Sequence, residues 1–388
     1  MAEQGAVRRR LVFYISGFDP RGPRFYHQLY KTEAAKQEAV NGCRYQVSGR
    51  TADGDLASCW TIKASSDTVG ETETRYTFLR WDDIVRDNWP ASKGAVIAAM
   101  VSFYRVYASH GVFAATRKVA LRTFWTSMSP AIYTALLLAL AGGLGVMLAA
   151  GITGLAGGAG AVRAAAALAG LALGGGVVWA GIAQAERMRM FWLMRILVFC
   201  HRWAEQGSDP HADRWAAFAR RIQADIGQYP ADEVLLVGHS VGAPVAVAVA
   251  ARLLELQRAD PGIALSKVKL LTLGQVFPLL GMIPQAGWFR AQMQAVGDSD
   301  LPWLDCTAPG DPLSFVLVDP FRMCGLATPT RAGYRIKSSR FDKMFAPKDY
   351  AAIRRDAFRV HFQYLMARGL PANNVFFAVT AGAGMLEI

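Results

Sequence analysis

Residues 233–242 read Glu233-Val-Leu-Leu-Val-Gly-His-Ser-Val-Gly242, and this decapeptide decides the fold. Its first half is a short, unbroken apolar run ending at a glycine, the pattern of a strand buried on both faces. From Pro244 to Gln257 the chain is rich in Ala, Val and Leu with no later breaker, as expected of a helix packed on a sheet. A second β-rich run, Val268-Lys-Leu-Leu-Thr-Leu273, follows. Strand, helix and strand in this order imply a parallel crossover, so the expected class is α/β with a doubly wound, mostly parallel sheet. At the turn between strand and helix stands Gly238-His239-Ser240-Val241-Gly242. Small residues on both sides of Ser240 let the backbone bend sharply and lift the hydroxyl above the sheet edge.

Working outward, residues 11–16 (Leu-Val-Phe-Tyr-Ile-Ser) form another apolar strand, ending in the turn-forming loop Gly17-Phe18-Asp19-Pro20-Arg21-Gly22. Residues 45–48, 59–63 and 75–81 read as further strands between turns, and 87–129 as helical. On the other side, 211–229 repeats apolar positions at helical spacing, and Trp303-Leu-Asp-Cys-Thr307 is a late strand. Segments 328–347 and 375–388 carry no pattern strong enough to assign.

Between these halves, residues 130–184 contain one charged side chain, Arg163. A spanning helix needs about 20 apolar residues, so the segment fits two spans and a turn. The expected spans are 130–150 and 164–184, joined through the Gly-rich stretch 151–162, with Arg163 held near the turn because mid-membrane burial would cost about 2.5–3.5 kcal/mol. Gly154-x-x-x-Gly158 and Gly170-x-x-x-Gly174 offer small residues for close helix approach. Arg105, Arg117, Lys118 and Arg122 precede the segment and Arg187, Arg189 and Arg195 follow it, which puts both ends on the cytoplasmic side. Aromatic residues flank it as interfacial anchors would: Trp125 and Tyr133 at one end, Trp179, Phe191 and Trp192 at the other. Residues 190–201 are apolar but interrupted by Arg195, and are expected to lie along the membrane or the globular part. Neither flank holds a full set of strands, so both should join one sheet, and an even number of crossings permits that. The resulting organisation is an α/β domain in two parts, 1–129 and 185–388, interrupted by a membrane hairpin at 130–184. A bacterial-type inner membrane, with the globular part facing the cytoplasm, is the expected location.

Composition agrees. The 388 residues are 53% hydrophobic and 19% charged, which excludes a disordered or collagen-like chain. Arg8-Arg9-Arg10 is followed by too short an apolar run for a secretory signal. Five cysteines without ligand spacing suit a reducing compartment and imply no metal. No phosphate loop or dinucleotide fingerprint is present, so no cofactor is expected. The net charge of +12 is concentrated near the hairpin without a groove-reading motif, which favours anionic lipid over nucleic acid as partner.

The strand, the Gly238-His239-Ser240-Val241-Gly242 turn and the following helix resemble the α/β-hydrolase superfamily, particularly its lipases, esterases and thioesterases. The resemblance covers the globular parts and not the hairpin. It implies a chain order of nucleophile, acid and histidine. Of the six histidines (His27, His110, His201, His211, His239 and His361) only His361 follows Ser240, so it is the candidate base and His239 a neighbour. Ala308-Pro309-Gly310-Asp311-Pro312 resembles the lipase loop in which the triad aspartate precedes proline, making Asp311 the candidate acid with Asp305 and Asp319 in reserve. The resemblance also implies an oxyanion hole from the amides of Val241 and of Phe18, although Ser16-Gly17 stands where many lipases have His-Gly. Arg21 and Arg24 read as solvated charges, the alternative being contact with an anionic substrate. Asp82 and Asp83 read as a helix N-terminal pair rather than paired catalytic acids. The implied activity is a membrane-anchored serine hydrolase cleaving lipid-like acyl esters or thioesters. Two alternatives remain open: an acyltransferase on the same fold, and a non-catalytic membrane interaction protein.

Overall fold

A computed structural model describes residues 6–66, 70–90, 92–262, 265–330, 333–371 and 376–388. Its strands are β1 (Arg9–Ile15), β2 (Arg44–Val47), β3 (Thr51–Asp53), β4 (Ala57–Ser66), β5 (Gly70–Leu79), β6 (Glu233–His239), β7 (Val268–Leu273), β8 (Trp303–Thr307) and β9 (Tyr334–Ser338). Helices preceding β6 are α1 (Gly22–Asn41), α2 (Asp82–Asp87), α3 (Lys93–Ser109), α4 (Val112–Val119), α5 (Leu121–Ala156), α6 (Gly160–Arg187), α7 (Met190–Ala204) and α8 (Ala212–Gln228). Those following it are α9 (Gly242–Ala259), α10 (Phe277–Gly281), α11 (Gly287–Gly297), α12 (Pro320–Met323), α13 (Pro347–Ile353), α14 (Ala357–Phe362) and α15 (Phe376–Ala381).

All nine strands join one sheet in the order β2-β4-β5-β1-β6-β7-β8-β9, with β3 paired to β4. From β5 across to β9 every pairing is parallel, and β2, β3 and β4 add antiparallel pairings at one end. The fold is therefore α/β, and strands from both sides of the apolar segment pair directly, β1 beside β6. Alternate side chains of the central strands, such as Val12, Tyr14, Leu235 and Val237, pack with Tyr30 and Ala34 of α1 and Phe377 of α15 on one face. Leu11, Phe13, Leu236 and Leu270, which point the other way, are buried as well. On that second face α9 lies on β6, between α8 and α11. Burial on both faces explains why β1 and β6 read as continuous apolar runs rather than alternating ones.

A charged cluster sits inside this core. Arg10 is 1% exposed, and its guanidinium meets Glu233 of the neighbouring strand at 2.8 Å while donating to the carbonyls of Gly382 and Gly384. Glu233 also binds Lys269 at 2.9 Å and the amide of Leu386 at 2.8 Å. The cluster ties β1, β6 and β7 to the C-terminal segment. Arg10, part of a basic triplet in the sequence, is thus an internal pin.

The chain forms two compact units, one comprising Met1–Trp89, Val106–Thr123 and Phe199–Ile388, the other Pro90–Arg105 and Phe124–Val198. The helical unit extends beyond 130–184 at both ends. Two of its helices, α5 and α6, are long and apolar enough to cross a membrane, and only 11% and 17% of their most apolar stretches are buried. That exposure excludes a hairpin sequestered within a protein core. The turn is shorter than 151–162, because Gly151–Ala156 continue α5 and only residues 157–159 separate the helices. A Cβ on Gly158 would strike the Arg163 guanidinium, so this charge does lie at the turn. Close approach runs through Gly145 against Gly170 and Ala141 against Gly174, whereas Gly154 faces open space. Gly170-x-x-x-Gly174 is therefore the working pair of small residues.

Pro130 lies inside α5 and removes one backbone donor. The Ser129 hydroxyl donates instead to the orphaned Thr126 carbonyl at 2.8 Å. The Tyr104 hydroxyl enters the ladder beside it, accepting from the Ala131 amide at 3.2 Å and donating to the Ser127 carbonyl at 2.9 Å. The proline thus marks a repaired interruption where the most apolar part of α5 begins.

Candidate active site

The chain leaves β1 toward β5 on one side of the sheet and leaves β6 toward β7 on the other, so the carboxyl ends of β1 and β6 form a topological switch point, where sites of such sheets commonly lie. Ser240 follows β6 there, 6% exposed. Its φ is +57°, one of three positive values at non-glycine residues among those described. A left-handed serine costs on the order of 1–3 kcal/mol and persists only where the surroundings impose it. They do so here. A Cβ on Gly238 would lie 2.7 Å from the Ala246 Cβ, and one on Gly242 would strike the carbonyls of Ile15 and Ser16. Both glycines are thus required for α9 and β1 to close on the turn.

The amide of Ser240 donates to the Leu273 carbonyl at 2.8 Å, tying the elbow to the end of β7. The next residue, Gly274, has φ +58°, and a Cβ there would approach the Tyr364 ring at 2.8 Å, His361 Cε1 at 3.2 Å and Asp311 Oδ2 at 3.3 Å. Glycine at this position leaves room for the Asp311–His361 pair beside the elbow. In that space His361 Nδ1 donates to Asp311 Oδ2 at 2.8 Å, with the two side chains 5% and 0% exposed. With Nδ1 as donor to the carboxylate, the neutral ring carries its free lone pair on Nε2, the tautomer a general base requires. Asp311 Oδ2 also accepts from the Tyr364 hydroxyl at 3.1 Å, and Oδ1 from the Leu313 amide at 3.0 Å. Burial opposes ionisation of Asp311, but His361 and the Leu313 amide outweigh it and hold its pKa below the ordinary carboxylate range. Comparison of the chain with family models, curated proteins and solved structures finds no match.

His239 sits in a different environment from His361. Burial first, and the neighbouring His361 second, push its pKa down to about 3, so the ring stays neutral. Its Nε2 donates to the His361 carbonyl at 3.0 Å, and the two rings lie 4.9 Å apart. The residue thereby holds the backbone of His361.

Gly17 abuts the elbow from the β1 side, since a Cβ there would lie 3.0 Å from Ser240 Cβ and 3.4 Å from its Oγ. Phe18 is buried, stacked on Phe199 at 4.4 Å and Trp89 at 5.5 Å, which fixes its backbone. Among the described residues the amides of Phe18 and Val241 donate to no protein acceptor. Asp19 accepts from Arg21 at 2.6 Å and from the Tyr26 hydroxyl at 2.9 Å. Arg21 lies 3.6 Å over the Phe25 ring and 5.3 Å from that of Phe362, and its side chain stays exposed, as expected of a solvated charge. Arg24 is exposed.

The remaining carboxylates have other duties. Asp319 caps α12 through the amides of Phe321 and Arg322. Asp82 and Asp83 open α2 and pair with Arg86 and Arg214. Asp305 is fully buried in β8, where it accepts from the Thr272 hydroxyl at 2.7 Å while its second oxygen has no partner. Burial pushes its pKa up to about 7. A carboxyl with a raised folded pKa contributes stability that is complete below its unfolded value near 4 and lost as pH rises through 7. Asp305→Asn should therefore gain on wild type as pH rises, by about 1–3 kcal/mol more at pH 8 than at pH 5. Thermal unfolding of both proteins at the two pH values measures this, and equal differences at both would refute it.

The sequence brought Ser240, Asp311 and His361 into consideration, but not Tyr364 or Gly274. Tyr364 carried no local signal, and Gly274 only that of a glycine closing a strand.

Proposed function

We propose that the chain is a membrane-bound serine hydrolase of α/β-hydrolase type that cleaves acyl esters or thioesters of lipid-like substrates. The observation that carries this reading is the left-handed Ser240 at a strand-to-helix elbow, together with a buried Asp311–His361 pair at the same sheet edge. In this reading Ser240 Oγ attacks the acyl carbonyl while His361 Nε2 takes the hydroxyl proton, and Asp311 stabilises the imidazolium. The free amides of Val241 and Phe18 receive the negative oxygen. His361 then protonates the leaving alcohol or thiol, and water repeats the sequence to release the acid. Among the described residues Ser240 Oγ joins no hydrogen bond, so proton transfer requires Ser240 and His361 to approach when substrate binds.

The apolar helices support the substrate class. Held at a bilayer by α5 and α6, the enzyme would meet acyl chains at high local concentration. Cations at both ends of the helical pair favour a cytoplasmic orientation of the sheet-bearing unit, next to anionic lipid. The test is pre-steady-state hydrolysis of a p-nitrophenyl acyl ester by the intact protein in lipid nanodiscs. A burst of nitrophenol equal to the active enzyme concentration, followed by slower turnover, is expected of an acyl-enzyme. No burst and no turnover with esters or thioesters of any chain length would refute it.

A further inference from the structure

A second cavity lies among the carboxyl-terminal halves of β7 and β8, β9 and the segments that follow them. Its volume is about 290 Å³, at the lower end for small-molecule sites. The floor is apolar, formed by side chains such as Leu304, Phe341 and Val379. Four cations line it (Lys337, Arg340, Lys343 and Arg368) and, among the described residues, no carboxylate does. Arg340 is committed to Asp342, at 2.6 Å. Arg368 is different: it is 8% exposed, yet among the described residues its guanidinium makes no hydrogen bond or ion pair. Burial alone acts on it, pulling its pKa down to about 10. The backbone around it is fixed, because the amides of Ala367 and Arg368 donate to Glu33 and Gln37 of α1 at 3.0 Å each. Ser338, also lining the cavity, has a buried hydroxyl oxygen without a partner.

A buried guanidinium without a counter-charge is costly, and a planar anion binding both of its donor edges removes that cost. One buried cation balances one negative charge, and the apolar floor accommodates an alkyl body. We propose that this cavity is a binding site for a small aliphatic carboxylate, its head group on Arg368 and Ser338 and its chain on the apolar floor. The site is distinct from Ser240, although the two share Tyr364, which lines the cavity and donates to Asp311.

The experiment is isothermal titration calorimetry of the full chain in nanodiscs with hexanoate, hexan-1-ol and inorganic phosphate. Hexanoate is expected to bind saturably, at least about tenfold more tightly than either comparison ligand. Arg368→Gln should weaken hexanoate at least tenfold and fold normally, because it removes an uncompensated buried charge. Val379→Trp, which fills the cavity, should abolish binding. Binding should persist in Ser240→Ala, which separates this site from the hydrolase reading. Equal affinity for hexan-1-ol would overturn the anion assignment, and equal affinity for phosphate the aliphatic one. Unchanged hexanoate binding in both Arg368→Gln and Val379→Trp, or its loss in Ser240→Ala, would overturn the site.

Discussion

Ser240→Ala is expected to lose essentially all ester hydrolysis, a fall of about a million-fold in kcat where the nucleophile acts as a unit with its base, and to lose covalent labelling by a fluorophosphonate. The variant should remain folded. Ser240 has a φ of +57°, and alanine bears the same Cβ in the same left-handed region, so the strain is retained while only the hydroxyl is removed. Ser240→Gly supplies the control that separates chemistry from conformation. It should be equally inactive yet more stable than Ser240→Ala by about 1 kcal/mol, because glycine adopts this backbone without penalty. Equal labelling of wild type and Ser240→Ala would show that another nucleophile reacts. A glycine variant no more stable than the alanine one would show that the bend is not under strain.

Arg10→Met is expected to be the most damaging single substitution for stability. Methionine approximates the volume and flexibility of the arginine stem but leaves Glu233, 1% exposed, with Lys269 as its remaining cation. Breaking a buried pair by removing one partner costs about 3–5 kcal/mol, and the carbonyls of Gly382 and Gly384 lose their donor as well. The double variant Arg10→Met with Glu233→Gln should recover part of the loss, since the buried carboxylate is then neutral while Lys269 keeps the Leu386 carbonyl as acceptor. Denaturant unfolding of the protein in mild detergent measures both. A loss below about 1 kcal/mol for Arg10→Met would mean that the cluster is not a determinant of stability.

Much of the fold was legible because its central strands are buried on both faces. Continuous apolar runs at 11–16, 233–237 and 268–273 leave little else to propose; the observed β6 and β7 contain theirs, and β1 ends one residue short of its own, at Ile15. The apolar pair was legible from length alone, but the turn between α5 and α6 was placed too broadly because Gly and Ala at 151–156 suit a lipid-exposed helix as well as a loop. Strand β9 was not found. Tyr334–Ser338 alternates half-buried with exposed positions at the sheet edge, and a five-residue segment of that kind has almost no pattern to detect. Helix α1 escaped because its buried face is built from Tyr26, Tyr30, Ala34, Glu33 and Gln37, which mixes polar with apolar residues. At the site, the elbow announced itself through its glycines. The Asp311–His361 pairing spans 50 residues, and no local pattern encodes so distant a contact.

The pairing of β1 with β6 also dictates an order of events during synthesis. Arg10 and Glu233 stand 223 residues apart. At about 5–20 residues per second, the nascent first strand waits roughly 10–45 seconds before its neighbour leaves the ribosome. During that interval both long apolar helices emerge with most of their surface uncovered, while the inner edge of β1 is open to any passing strand. Production without a bilayer or a holding chaperone should therefore give aggregates even when every side chain is intact, and recovery of the protein should depend on how quickly lipid captures the helices.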